Sequence, residues 1–536
     1  MNVAELVGRT LAELGVGAAF GVVGSGNFEA TNGLRAGGVP FVAARHEGGA
    51  ASMADAYARM SGRVSALSLH QGVGLTNALT GITEAAKSRT PMIVLTADTA
   101  ASSVLSNFRI DQDALGTAVG AVPERVHGAG TAVADTVRAY RTAVQQRRTV
   151  LLNLPLDVQA QEAPESTRVP KITGPAPIRP NVDAVAKLAD LLGEARRPVF
   201  VAGRGARAGS APLKELAEAS GALLSTSAVA HGLFHDDPFS LGISGGFSSP
   251  RTADLIRNAD LVIGWGCALN MWTTRHGTLL GPAARLVQVD VEQAALGAHR
   301  PIDLGVVGDV TSTAVDVHAE LKRRGHRASR EALESTRWND VPYNDLSGDG
   351  RIDPRTLSRR LDEILPAERV VSIDSGNFMG YPSAYLSVPD ENGFCFTQAF
   401  QCVGLGMGTA IGAALARPDR LPVLGVGDGG FHMAISELET AVRLRIPLVV
   451  IVYNDAAYGA EIHHFGDADM TTVRFPDTDI VAIGRGFGCD GVTVRSVEDL
   501  GAVTEWLGGS RDAPLVIDAK IADDGGSWWL AEAFRH

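Results

Sequence analysis

Short apolar runs rich in β-branched residues recur along the chain at 91–96, 149–154, 198–202, 261–264, 286–291, 370–373, 421–426 and 448–453. Between them lie segments whose apolar residues follow a helical period. Continuous apolar strands joined by helices predict parallel sheets covered on both faces, an α/β fold of doubly wound, mainly parallel sheets. Two stretches interrupt the alternation. Residues 159–180 hold prolines at 164, 170, 175, 177 and 180, and residues 322–354 are charged and lack a clear period. They divide the chain into expected domains at 1–160, 182–321 and 352–536, each of ordinary domain size. No internal repeat is apparent along the chain.

Composition narrows the class. With 45% apolar and 20% charged residues, the 536-residue chain has material for several folded cores. Its 61 glycines exceed the usual share of ~7% and cluster beside apolar runs, which points to tight turns and close backbone approaches. A net charge of −12 argues against nucleic acid as a partner. The cysteines at 267, 395, 402 and 489 are far apart and form no C-x-x-C pair, which argues against a disulfide framework or a zinc ribbon. The N-terminal MNVAELVGRTLAEL has no signal-peptide core, and the apolar run 446–453 is far short of the ~18–20 residues of a membrane span. A cytoplasmic protein with no membrane partner is expected.

One constellation carries chemistry. The apolar run 421–426 ends in Gly427-Asp428-Gly429-Gly430, and a helix should follow with Ile435, Leu438 and Val442 on one face. The next run ends in Tyr453-Asn454-Asp455, so Asp428 stands 26 residues before Asn454 and 27 before Asp455. Adjacent parallel strands would bring these groups together at their carboxyl ends, where open α/β sheets bind ligands. Oxygen ligands of this kind suit Mg²⁺, which usually also takes phosphate oxygens. Glycine N–H groups at a helix start can face such a phosphate. A tight turn with a capping Asp is the plainer reading of the GDG alone; the paired Asn-Asp further on favours the metal.

This spacing resembles the diphosphate-binding motif of thiamine diphosphate (ThDP) enzymes of the pyruvate decarboxylase, acetolactate synthase and benzoylformate decarboxylase superfamily. The resemblance covers essentially the whole chain, most strongly at 20–97 and 370–465. It implies a pyrimidine-binding N-terminal domain, a central Rossmann-like domain and a diphosphate-binding C-terminal domain. It implies metal ligands at Asp428, Asp455 and the carbonyl of Ala457, with Asn454 as a fallback because the family more often has Asn where Asp455 stands. Gly427, Gly429, Gly430 and Tyr458 would border the cofactor, and Gly376 and Asn377 would form a second diphosphate loop.

RHEGGAASMADAYAR, residues 45–59, matches the family segment R-H-E-x-x-A-x-x-M-A-x-x-Y-A-R. Taken alone, Glu47 reads as a charge at a helix start. The resemblance makes it the carboxyl that binds N1′ of the aminopyrimidine and so promotes loss of the C2 proton. Gln401 would offer its carbonyl to the 4′-amino group, and Val403, smaller than the usual Leu, Ile or Met, would be the wedge that bends the cofactor.

For the substrate, the resemblance points to Ser25, to His70 as a proton relay and to Glu461, six residues after Asp455. His463, His464 and Gln112 are secondary candidates. Met271 stands where benzoylformate decarboxylases lead one to expect a second histidine. Together these groups favour decarboxylation of a 2-oxo acid, the intermediate being protonated to an aldehyde or ligated to a second carbonyl. Acetolactate synthase-like joining of two 2-oxo acids is the alternative. Flavin is not expected, since the central domain shows no full G-x-G-x-x-G. A homodimer or homotetramer with sites at the subunit interface is implied. The region of Trp528 and Trp529 reads equally as a lid or as surface packing. A catalytically silent protein on the same fold and an NAD-dependent dehydrogenase are the competing classes.

Overall fold

A computed structural model describes all residues except 167, 175, 467, 526, 527 and 534–536, and no side chain within 531–533. Parts of the C-terminal tryptophan segment and of the 463–472 loop therefore lie outside the described residues. Among the described residues, eighteen strands form three six-stranded sheets, and all strand pairs within them are parallel. The central strands are buried along their length, as in Ser65–Leu69, Leu261–Trp265 and Val449–Asn454. This is the burial that continuous apolar runs require.

The first sheet contains Ala18–Gly21, Phe41–Ala43, Ser65–Leu69, Met92–Asp98, Val122–Arg125 and Thr149–Pro155. Counted along the chain, its spatial order is 2-1-3-4-6-5. The third sheet, from Arg369–Ile373 to Leu515–Lys520, has the same order. The middle sheet, from Pro198–Ala202 to Leu304–Val307, runs 6-5-4-1-2-3, the order of a doubly wound dinucleotide fold.

The shared order shows a structural correspondence that is not readable as a repeat in the sequence. Ser25-Gly26-Asn27-Phe28 follows the first strand of the first sheet, and Ser375-Gly376-Asn377-Phe378 follows the first strand of the third. Four residues are too few to register as a repeat until the topology aligns them.

One hydrophobic cluster spans these two domains, whereas the middle domain has clusters of its own. Helices Glu47–Ser61 and Gly406–Ala416 face each other at its centre. Their small residues permit this closeness: a Cβ on Gly412 would lie 2.2 Å from the carbonyl oxygen of Met53, and one on Gly408 would lie 2.7 Å from that of Gly49.

The helix expected after the GDG turn is broken in two, Asp428–Met433 and Glu437–Arg443, with Ile435 in the break. Two glycines in its first turn weaken the first piece. The second piece starts at Glu437, whose buried carboxylate bonds into the N-terminal domain.

Candidate active site

Strands Leu421–Gly427 and Val449–Asn454 are neighbours, with Gly427 opposite Tyr453. The residues just beyond, Asp428 and Asp455, therefore meet, and their carboxyl groups hydrogen-bond to each other. Burial raises both pKa values, and the charge of Asp428 raises that of Asp455 further. Two buried carboxylates in contact either share a proton or hold a cation. Asp428 is only 8% exposed. Ala457 is buried beside the pair and its N–H donates to Asp455 Oδ1 at 3.2 Å.

Asn454, the expected fallback ligand, is hydrogen-bonded at both ends of its amide. Its Nδ2 donates to Asp518 at 2.8 Å and its Oδ1 accepts from the Ala456 N–H at 3.0 Å, so both ends are committed to the scaffold. Among the described residues no three His, Cys, Asp or Glu side chains cluster as a metal cage. Two carboxylates and a carbonyl fit a hard cation that takes its remaining oxygens from a diphosphate and water.

The glycines here answer first to packing. A Cβ on Gly430 would lie 2.2 Å from Asp374 Oδ2, one on Gly429 would lie 2.9 Å from the Tyr458 ring, and one on Gly427 would lie 3.2 Å from the Phe378 ring. Tyr458 also packs edge-on against Phe475 and lines a hollow with Asp428 and Gly429. Gly376 has φ of 145°, and Asn377 lines a second hollow with Asp455, Ala457 and His463. Gly459 is required between them, because its Cβ would lie 2.3 Å from Asp455 Oδ2 and 3.1 Å from Asn377 Nδ2.

Gln401 and Val403 border a cavity of about 430 Å³ together with Gly376 and Glu461. Val403 is 37% exposed, an apolar side chain standing in open space. Its loop is held by Asp374, which sequence reasoning missed. Both Asp374 carboxylate oxygens accept the Gly404 N–H at 3.0 Å, and Oδ1 accepts the Ser375 N–H at 2.8 Å. Burial pushes this carboxyl up to about 6 despite its amide donors. The acid between the strand and Ser375-Gly376-Asn377 was the available signal.

Trp529 is fully buried against Gly380, Tyr381 and Phe247, and it also walls this cavity. Trp528 donates to the Gly246 carbonyl at 3.1 Å and packs on Trp338. The pair is not surface packing; it fills the seam between the middle and C-terminal domains. Met271 is exposed, and its neighbours Trp272 and Thr273 line the cavity instead.

The N-terminal candidates form a second group. Glu47 begins its helix, and its Oε2 accepts from Asn77 at 3.0 Å. His70 Nδ1 faces the Gln71 carbonyl at 2.9 Å, and its ring meets Phe108 edge-on and rests over Gly24. Ser25 is exposed on a turn pinned by Asn27, which accepts the Gly24 N–H at 2.8 Å and donates to Ser68 at 3.0 Å. Gln112 is not a wall of the site. It is buried, accepts the Gly72 N–H at 2.9 Å and donates to Asn153 at 2.7 Å, so it braces the His70 loop from behind. None of Ser25, Glu47 or His70 lines the cavity that holds Gln401 and Val403. Within one chain these candidates thus form two groups that do not line one cavity.

Two domains of one topology around a Rossmann-ordered third, with a carboxylate pair at adjacent strand ends, define the class of three-domain cofactor-dependent α/β enzymes. The chain belongs to the thiamine pyrophosphate enzyme family. Residues 1–117 match its N-terminal TPP binding domain, 185–317 its central domain and 374–519 its C-terminal TPP binding domain. The chain is 28% identical to a sulfoacetaldehyde acetyltransferase of Alcaligenes xylosoxydans, over 94% of this chain and 89% of that one. It is 26% identical to an acetolactate synthase of Mycobacterium bovis, over 99% and 90%. Its fold matches a ThDP-dependent 4-hydroxybenzoylformate decarboxylase of Rhodococcus jostii with a TM-score of 0.84 at 23% identity, covering 98% of this chain and all of that one.

Proposed function

We propose that this ThDP enzyme is a Mg²⁺-dependent 2-oxo acid decarboxylase whose product is released as an aldehyde or ligated to a second carbonyl. The observation that carries this reading is the placement of Glu461 on the same cavity as Gln401 and Val403. An ionisable group there can hold or deliver a proton beside the reacting carbon. Asp428, Asp455 and the Ala457 carbonyl would hold Mg²⁺, with Gly376, Asn377, Gly427, Gly429, Gly430 and Tyr458 around the diphosphate. When bound, ThDP supplies the electron sink for breaking the carboxylate bond. Glu47 holds a proton at the aminopyrimidine, Gln401 orients that ring through its carbonyl, and Val403 sets its angle. His70 and Ser25 face the substrate from the partner chain of a homodimer or homotetramer, which unites the two groups. The absence of any helix long and apolar enough to cross a membrane among the described residues is compatible with a cytoplasmic enzyme.

A second reading, ligation or acyl transfer to an anionic acceptor such as another 2-oxo acid, is favoured by Arg204 and Lys87 on the cavity wall. The relatives named acetyltransferase and acetolactate synthase fit this version.

The test is ThDP and Mg²⁺ titration of the purified protein, followed by a panel of 2-oxo acids with and without carbonyl or phosphate acceptors, read by mass spectrometry. Aldehyde and CO₂ support the first reading, and acyloin or acyl-acceptor products the second. No product from any 2-oxo acid in a ThDP-loaded protein would overturn both.

A further inference from the structure

Two buried glutamates occupy matching places in the two domains of shared topology. Glu84 lies on Val73–Lys87, the helix after the third strand of the first sheet, and Glu437 lies on Glu437–Arg443, after the third strand of the last. Each is 1% exposed. Each reaches out of its own domain and binds backbone of the other.

Glu437 Oε1 accepts the Arg45 N–H at 3.1 Å and the His46 N–H at 3.0 Å, while Thr440 Oγ1 donates to Oε2 at 2.7 Å. Glu84 accepts the Ala399 N–H at 3.1 Å on Oε1 and the Phe400 N–H at 2.6 Å on Oε2. Arg59 and Ser88 add donors to Glu84 Oε1 at 2.8 and 3.0 Å. The residue that follows the first clamped pair is Glu47, and the residue that follows the second is Gln401. Gly49 makes room for the first clamp, since a Cβ there would lie 2.3 Å from Glu437 Oε1.

We propose that Glu437 and Glu84 are positioning residues that set the backbone of the two groups gripping the aminopyrimidine, Glu437 for Glu47 and Glu84 for Gln401. The inference rests on the reading above that Glu47 and Gln401 face that ring. Paired amides held by a buried carboxylate are strong, directional contacts. Each clamp acts on the peptide units just before the cofactor-facing residue, where a small displacement moves the reacting groups directly. Simple adhesion between domains would not need both carboxylates to choose the pair of amides at that one offset.

The geometry also makes the two clamps unequal toward glutamine. At 437 Oε1 accepts from both amides, and Oε2 takes the Thr440 hydroxyl and only the longer, 3.3 Å arm of the Arg45 N–H, so Glu437→Gln keeps both Oε1 bonds and turns its NH₂ toward the Thr440 hydroxyl, which can accept. At 84 both oxygens are taken by N–H donors, so Glu84→Gln sets an NH₂ against at least one of them.

The test uses the full chain loaded with ThDP and Mg²⁺, after wild type has been shown to bind ThDP and exchange its C2 proton. C2 exchange is followed by NMR without substrate, and amide exchange at 45–46 and 399–400 by mass spectrometry. Glu437→Ala and Glu84→Ala should each slow C2 exchange at least about tenfold and deprotect their own amide pair. Glu437→Gln should stay close to wild type, whereas Glu84→Gln should be slow. If the alanine variants do not fold, the two glutamine variants, which preserve side-chain volume, decide the matter. Equal behaviour of the two glutamine variants, or normal C2 exchange in Glu84→Gln, would overturn the proposal. Failure of wild type to bind ThDP would instead overturn the function reading beneath it.

Discussion

The first and last domains fold to one strand order, yet the same turns carry different chemistry. After the third strand, the N-terminal domain places His70 on a turn at Gly72, and the C-terminal domain places Asp428 in Gly427-Asp428-Gly429-Gly430. After the first strand, both carry Ser-Gly-Asn-Phe, but Ser25 is exposed on an N-terminal turn pinned by Asn27, whereas Asn377 stands beside Asp455. After the second strand, one domain presents Glu47 and the other Gln401. The lesson is a division of labour. On the function proposed above, a shared scaffold supplies equivalent loop positions, the N-terminal copy offering Glu47, His70 and Ser25 and the C-terminal copy the metal-binding oxygens, backbone carbonyls and Glu461.

The most damaging way to break that division is to remove its proton donor. Glu47→Gln should lower turnover by about a thousandfold or more, the scale of a lost general acid–base group. Its side chain is partly exposed at a helix start, so the melting temperature should hold. Steady-state rates beside a circular-dichroism melt check both. Near-normal turnover would end the assignment.

Next comes the metal side. Asp428→Ala should weaken Mg²⁺-dependent ThDP binding by about a hundredfold. Asp455→Asn should cost only a few-fold, because an amide oxygen still ligates and the like-charged contact with Asp428 disappears. Calorimetric titration of ThDP at saturating Mg²⁺ separates them, and equal losses would mean that Asp455 supplies more than one oxygen.

A smaller effect should distinguish the groups that handle substrate. His70→Ala and Glu461→Gln should each reduce turnover by about ten- to a hundredfold. Only Glu461→Gln, on the cavity wall, should shift the ratio of aldehyde to ligated product. Mass-spectrometric product ratios decide this.

Much of this arrangement was legible in the chain. The eight apolar runs became strands within a residue or two, since buried parallel strands leave an uninterrupted apolar signature. Asp428 and Asp455 were predictable neighbours because strands separated by one helix usually lie side by side. What stayed hidden depended on contacts between distant segments. The bonds of Glu84 to residues 399–400 and of Glu437 to residues 45–46 each span more than 300 positions, and nothing local marks either glutamate as unlike a surface helix charge. Gln112 was misplaced for the same reason: its Asp-Gln-Asp setting looks exposed, while the fold buries it beneath the His70 loop. The break at 434–436 was masked by a helical period that continues across it.

The finest comparison lies within the N-terminal clamp, where two buried carboxyls beside Arg59 are pushed in opposite directions. Burial raises Asp55 above its ordinary 3.8, and Arg59 offsets only part of that rise. Burial also acts to raise Glu84, but Arg59 and the amides of Phe400 and Ala399 outweigh it, so its pKa falls below 4.5. For Glu84 the folded state binds fewer protons than the unfolded one, so its stabilisation is full above pH 4.5 and is lost as pH falls through the lowered value. For Asp55 the sign reverses, and its contribution declines as pH rises above 3.8. Glu84→Gln should therefore cost most near neutrality, about 1 kcal/mol or ~2 °C in melting temperature, and least in acid. Asp55→Asn should lean the other way, its relative stability improving from pH 4 to 6. Melting curves across that range check the pair. Parallel pH profiles would show that Arg59 does not discriminate between the two carboxylates, and that the amides of residues 399 and 400 do not carry the difference.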